Sequence, residues 1–150
     1  MTDLAVSVEV AAPVGTTWLA LTDWERQREW MLGTEVRVVE GNGRSVGSRL
    51  EAFTGIAGVG FTDTMEIISW EPPVRCTMRH LGSIVRGTGS FHVQGRGPQR
   101  SVFVWSEQLD LPLGLVGRLG WPVVKPVFTL GLRRSLHNFA RFAESYTVGG

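Results

Sequence analysis

Between Pro126 and Tyr146 the apolar residues recur at a spacing that only a helix can use. At about 100° per residue, Phe128, Leu132, Ser135, Leu136, Phe139, Phe142, Ala143 and Tyr146 fall on one stripe. Arg133, Arg134, His137, Arg141 and Glu144 fall opposite, and Leu130 lies off the stripe. An amphipathic helix of this length must bury its stripe against another layer. What precedes it is mainly short strand-like segments, so the helix reads as the element that a sheet closes over.

Those segments can be followed in order. Leu4, Val6, Val8 and Val10 alternate with polar or small residues as in a half-buried strand. Pro13 suits the first turn of a short helix carrying Val14, Trp18 and Leu21. Asp23 can cap a second, containing Trp24 and ending near Trp30, Met31 and Gly33. From Thr34 the period becomes two. Val36 and Val38 lead into a turn at Gly41-Asn42-Gly43, and Val46, Ser48, Leu50 and Ala52 form the return strand. After a turn over Gly55–Gly60, Phe61, Asp63, Met65 and Ile67 share a strand face, which Pro72-Pro73 ends. Val74, Cys76, Met78 and His80 share the next face; Val85, Gly87, Gly89, Phe91 and Val93 the one after. A last strand runs from about Ser101 to Leu109. The order is one strand, two helices, six strands and a helix, which implies an α+β fold with a curved antiparallel sheet of about seven strands. The 150 residues form one domain.

Composition excludes several functions. Net charge is +1, from 15 basic and 14 acidic residues, which gives no electrostatic footprint for nucleic acid. Lys125 is the only lysine, and the arginine bias reads as the coding habit of a GC-rich bacterial genome. Cys76 is the only cysteine, so neither disulfides nor a thiolate zinc site is expected. His80, His92 and His137 have no metal-ligand spacing, and no cofactor is implied. The amino terminus reads as lacking a signal peptide, and the apolar run Leu109–Leu132 carries charges and prolines unlike a membrane span. A cytoplasmic protein is expected.

Several strings form a set: residues 8–18 (VEVAAPVGTTW), Asp23-Trp24-Glu25 through Trp30-Met31, and Val46-Gly47-Ser48-Arg49-Leu50. The string 65–73 (MEIISWEPP) and Arg134-Ser135-Leu136 complete it. In these the sequence resembles the START/Bet v1-like (SRPBCC) superfamily, within it the polyketide cyclase/dehydrase and lipid-transport group. The resemblance implies a helix-grip fold, with the sheet wrapped around the C-terminal helix and an apolar cavity between them. It does not imply one chemistry.

Candidate site residues follow from which faces turn inward. Trp18, Trp30, Met31, Met65, Met78, Phe91, Trp105, Phe128, Leu132, Leu136 and Phe139 would wall a cavity or fill a core. Ser135 is the one clearly polar residue midway along the helix stripe. It can bond back to the carbonyl four residues earlier or offer its hydroxyl to a ligand. Asp63, His80 and Glu107 are the candidate acid–base groups, since each has the parity of an apolar face; the structural alternatives are a hydrogen-bonded edge histidine at His80 and a carboxylate paired with Arg49 or Arg79. The last strand's register is open, because Val102, Val104 and Ser106 form an equally apolar alternative face. Gly43-Arg44-Ser45-Val46-Gly47 fits a nucleophile elbow, but a strand follows where a helix is required, so Ser45 reads as a turn serine. Gly87-Thr88-Gly89 lacks the rest of a dinucleotide loop and reads as room for a ligand or a bend. The segment Pro112–Pro126 reads either as a packed connection into the helix or as a mobile apolar loop, a lid or a contact for a membrane surface or partner through 111–124.

Three functions are thus open. The first is binding of a hydrophobic small molecule, such as a lipid or polyketide-like aromatic. The second is a cyclase/dehydrase using the acid–base groups, and the third is an interaction module using the 111–124 loop.

Overall fold

The structure is a computed structural model. It describes the backbone of residues 2–82, 86–110 and 114–147, and the side chains of the same residues except 2, 114–125, 127 and 128. Its elements are β1 (Thr2–Val10), α1 (Val14–Leu21), a 3-10 helix (Trp24–Glu29), β2 (Thr34–Glu40), β3 (Arg49–Ile56), β4 (Val59–Glu71), β5 (Arg75–His80), β6 (Arg86–Gly95), β7 (Ser101–Asp110) and α2 (Gly114–Glu144). The seven strands form one antiparallel sheet in the order β1-β7-β6-β5-β4-β3-β2. Each strand from β3 to β7 lies beside its predecessor, and β1 closes onto β7. This is the meander that six successive strand patterns demand, plus an N-terminal strand returning beside the last.

The alternation read from the sequence decides which face is buried. In β5, Cys76, Met78 and His80 are buried and Arg75 and Arg79 exposed. In β7, Phe103, Trp105, Glu107 and Leu109 are all buried. Val102 is buried too, but Val104 and Ser106 are only half-buried, which fixes the open register with Glu107 on the inner face. Pairing enforces this choice: Phe103, Trp105 and Glu107 lie opposite Val93, Phe91 and Gly89 of β6.

Four local expectations need correction. Val46 is exposed and lies outside a strand; β3 starts at Arg49. Residues 41–48 instead form a compact connection, in which the Asn42 side-chain carbonyl accepts from the Arg44 amide at 2.8 Å and the Ser45 hydroxyl at 2.9 Å. Ser45 is therefore spent on the turn. The turn after β3 is also tighter than Gly55–Gly60. Only Ala57 and Gly58 leave the strands, both at positive φ (55° and 80°), as two-residue hairpins with right-handed strand twist require. Asp23 does not cap the 3-10 helix through its side chain; its carboxylate accepts the Tyr146 hydroxyl at 2.8 Å and ties the 3-10 helix to the end of the C-terminal helix.

The largest correction concerns the segment before the C-terminal stripe. Residues from Gly114 onward are helical, so α2 is 31 residues long and residues 114–124 are not a loop. Residues 111–113 lie outside the described residues. Glycine and proline argue against helix by about 1 and 3 kcal/mol. The spacing of Val116, Leu119, Val123 and Val127, however, is helical and runs through them. A contact made by a mobile loop at 111–124 loses its loop.

The C-terminal half of α2 packs as its stripe requires. Leu132, Ser135, Leu136, Phe139, Ala140 and Ala143 are buried, while Leu130, off the stripe, is 69% exposed. The Phe139 ring lies 4.9 Å from Trp30 and 5.0 Å from Phe103, with both pairs edge-to-face. This aromatic cluster is the solid end of the wedge between helix and sheet.

Candidate functional site

Toward the other end the wedge opens into a cavity of about 560 Å³. Its floor is the inner face of the sheet: Thr34 and Val36 of β2, Leu50 and Ala52 of β3, Met65 of β4, Met78 of β5, Phe91 of β6 and Trp105 of β7. Met31 and Leu32 after the 3-10 helix, and Gly131, Leu132 and Ser135 of α2, close the other side. Phe61, Leu32, Arg86 and Asp110 are exposed members of the lining and mark its mouth.

The candidate residues separate along α2. Leu132 and Ser135 border the cavity, whereas Leu136 and Phe139 lie in the packed core, as do Trp18 and Trp30. The sequence offers the latter four as cavity walls, and they are not among its lining. The cause is geometric: Trp18 packs edge-on against Trp70 at 5.2 Å, and Trp30 is enclosed by Phe103, Trp105 and Phe139. The Phe128 side chain lies outside the described residues. Ser135 has a role that the sequence did not suggest, since its hydroxyl oxygen accepts the Leu32 amide at 3.1 Å and fastens α2 to the turn beneath it.

Several lining residues were missed, among them Trp24, Gln27, Thr34 and Thr54. Strand parity could have found the two threonines, which share faces with Val36 and with Leu50 and Ala52. Parity cannot tell a cavity wall from a filled core. Trp24 is held by its indole N–H, which donates to the Gly43 carbonyl at 2.8 Å.

The three acid–base candidates meet. His80 Nδ1 lies 2.8 Å from Asp63 Oδ2, and Nε2 lies 3.0 Å from Glu107 Oε2. Glu107 Oε1 accepts the Trp105 indole N–H at 3.0 Å. All three side chains are nearly shut from solvent: 6% exposed for His80, 13% for Asp63 and 11% for Glu107.

The sheet explains how they meet. His80 pairs with Met65, and Asp63 is two residues along the same face of β4, so the two are diagonal neighbours. Glu107 is farther away, on β7, with β6 between. Two strand spacings amount to about 10 Å, and an ordinary residue on β6 would block the path. The β6 residues at the crossing are Gly87, opposite His80, and Gly89, opposite Glu107. A Cβ on Gly89 would stand 2.7 Å from one Glu107 carboxylate oxygen and 2.8 Å from the other. Gly89 leaves a trough in which the imidazole and the carboxylate join, whereas a Cβ on Gly87, whose φ is 114°, would run into the Gln108 carbonyl of β7.

Burial alone would push the imidazole toward its neutral form. The hydrogen bonds that Asp63 and Glu107 accept from the ring, together with their charges, outweigh it and raise His80 from 6.5 to about 10. His80 is therefore an imidazolium at neutral pH, with both N–H groups donated to carboxylates. Asp63 Oδ1 differs from the other carboxylate oxygens: it is buried and has no hydrogen-bond partner. Among the described residues no cluster has the composition of a metal site, and no helix is long and apolar enough to cross a membrane.

A curved antiparallel sheet gripping a long C-terminal helix, with two short helices near the N-terminus and a cavity in the grip, defines a helix-grip protein of the START/Bet v1-like class. The model of the family "Polyketide cyclase / dehydrase and lipid transport" matches residues 1–144, and the chain belongs to that family. Among solved structures it is similar to the Zhui aromatase/cyclase from Streptomyces sp. R1128, at 19% identity and a TM-score of 0.79 over 99% of this chain and 98% of that one. It is also similar to a START superfamily protein from Mycobacterium smegmatis, at 16% identity and a TM-score of 0.68 over 95% and 94%. No curated protein sequence matches it.

Proposed function

We propose that the chain takes up a hydrophobic small molecule, lipid-like or polyketide-like, in the cavity between sheet and α2. The cavity carries this reading. Its volume of about 560 Å³ suits a ligand of a few fused rings or a short acyl chain, and its described walls are mostly apolar, with a few polar side chains set among them. Native mass spectrometry of the protein as purified tests it, together with displacement of an apolar fluorescent dye. A bound small molecule, or dye binding that a Leu132→Trp substitution removes, is expected. Absence of both would refute the reading.

One observation favours a second reading, a cyclase/dehydrase. Asp63, His80 and Glu107 form a connected acid–base group inside an apolar chamber, where proton transfer to or from a bound chain is practicable. His80, with both nitrogens engaged, holds its proton and orients the carboxylates. Asp63 and Glu107 both line the cavity, and they are the groups that would exchange a proton with a bound chain. On a polyketide substrate, Asp63→Asn is expected to lower kcat by ~10²-fold or more with a much smaller change in KM. A rise in KM with kcat unchanged would assign Asp63 to binding alone.

A further inference from the structure

The 3-10 helix carries a polar side chain that neither the fold nor the acid–base cluster uses. Three residues per turn put Trp24, Gln27 and Trp30 on one face, and all three are buried while Glu25, Arg28 and Glu29 are exposed. That face looks inward. Trp24 and Gln27 line the cavity, and Trp30 packs in the core beside it.

The other polar side chains inside the cavity have partners. Thr34 and Thr54 bond each other at 3.1 Å, the Ser135 hydroxyl accepts the Leu32 amide, and His80 joins Asp63 and Glu107. Gln27 is only 3% exposed, and its side-chain amide makes no hydrogen bond among the described residues. Its backbone is engaged, since the Gln27 carbonyl accepts the Trp30 and Met31 amides at 3.1 and 2.9 Å. The partnerless polar atoms that are sealed from any probe are Trp30 Nε1 and Asp63 Oδ1. The Gln27 amide is not sealed, and the space that so deeply buried a lining residue opens to is the cavity. A buried amide in that state is costly until a partner reaches it.

Resting on the reading of the cavity as a hydrophobic-ligand site, we infer that Gln27 sets its head-group specificity: the ligand carries an uncharged group that both donates and accepts hydrogen bonds, and that group meets the Gln27 carboxamide. The chemistry follows from the amide, which offers one acceptor oxygen and an NH₂ donor whichever way it is turned. An ammonium only donates and a carboxylate only accepts, so each leaves half of the amide unpaired, and a hydrocarbon leaves all of it. A hydroxyl, a phenol or a carboxamide on an apolar body satisfies both halves.

Three probes of matched shape test this at pH 7 by competition against an apolar fluorescent dye. They are 2-naphthamide, which donates and accepts, 2-acetylnaphthalene, which only accepts, and 2-isopropenylnaphthalene, which does neither. Gln27→Met keeps the side-chain length and removes the amide. It is expected to weaken 2-naphthamide about tenfold or more, to weaken the ketone less, and to leave the alkene within about threefold. Retained alkene binding shows that the variant's cavity is intact. If 2-naphthamide weakens no more than the alkene, the amide serves an ordered water only and the inference falls. Wild type labelled with ¹⁵N-glutamine gives a second reading that needs no variant. Gln94, Gln99 and Gln108 are exposed, so the side-chain NH₂ signal that a cavity ligand reaches is that of Gln27. It should move further with 2-naphthamide than with the alkene; equal movement, or none, overturns the inference. Probes that bind but keep their ratios in Gln27→Met defeat this inference alone. A protein that binds none of them and carries no ligand as purified defeats the cavity reading as well.

Discussion

The trough across β6 makes Gly89→Ala the most informative single change in the sheet. The added methyl would meet both Glu107 oxygens at 2.7 and 2.8 Å and its carboxyl carbon at 2.9 Å. The Glu107 side chain can swing away, but only by leaving the donors that hold it, His80 Nε2 and Trp105 Nε1, each at 3.0 Å. Hydrogen bonds to a charged group contribute about 1.5–3 kcal/mol each, and a displaced carboxylate regains part of that from water entering the cavity. The expected destabilisation is therefore about 2–4 kcal/mol, or about 5–15 °C in Tm for a chain of this size. Urea denaturation followed by tryptophan fluorescence measures the first, and NMR titration of the imidazole should show His80 falling below its value of about 10. Gly15→Ala is the control. Gly15 is exposed in α1 with nothing within 4 Å of the new methyl, so it should stabilise by about 0.5–1 kcal/mol. If Gly89→Ala is as stable as wild type and His80 still titrates near 10, Gly89 does not make the trough.

Three further outcomes can be checked directly. Because His80 titrates near 10 when folded and near 6.5 when unfolded, its contribution is complete below about pH 6.5 and is lost as pH rises to about 10. Wild-type stability should thus fall over that window by on the order of 3–5 kcal/mol, and His80→Gln should flatten the slope while costing several kcal/mol at about pH 6 by stranding two buried carboxyl groups. Burial pushes the Cys76 thiol up to about 12, so it should resist a disulfide reagent in the native state and react fully in denaturant; rapid native labelling would contradict its burial. Phe139→Ala, in the filled end of the wedge, should cost about 3–5 kcal/mol in urea denaturation, whereas Leu132→Ala, which already borders empty space, should cost about 1–3 kcal/mol.

The fold was legible because each element announces itself locally. The period-two faces of β4 and β5 need no tertiary information, nor does the stripe from Leu132 to Ala143. Failures fell where one local signal competes with another. Glycine and proline between 112 and 126 argued for a loop, while apolar spacing argued for helix, and the spacing prevailed. Trp30 and Phe139 were correctly placed inside, yet sequence gives no measure of where a wedge between helix and sheet runs out of filling. The boundary falls between Ser135 and Leu136, adjacent residues on the same stripe.

The site was legible as three separate residues and illegible as a group, and the reason lies in the sheet. Asp63 and His80 are diagonal on adjacent strands, a relation that the hairpin register could have supplied. Glu107 joins them only if β7 has its inner register and only if the strand between carries no side chain at the crossing. Each condition taken alone is ordinary: Glu107 could have faced outward, and Gly87 and Gly89 could have been a bend. Taken together they reinforce one another. A buried glutamate facing a bare stretch of β6 has no stable partner unless a cation lies beyond, and a histidine with an aspartate on one nitrogen has a second nitrogen to satisfy. A glycine on an inner strand face, flanked across the two neighbouring strands by a histidine and a carboxylate, is therefore evidence for the inner register that strand parity leaves open.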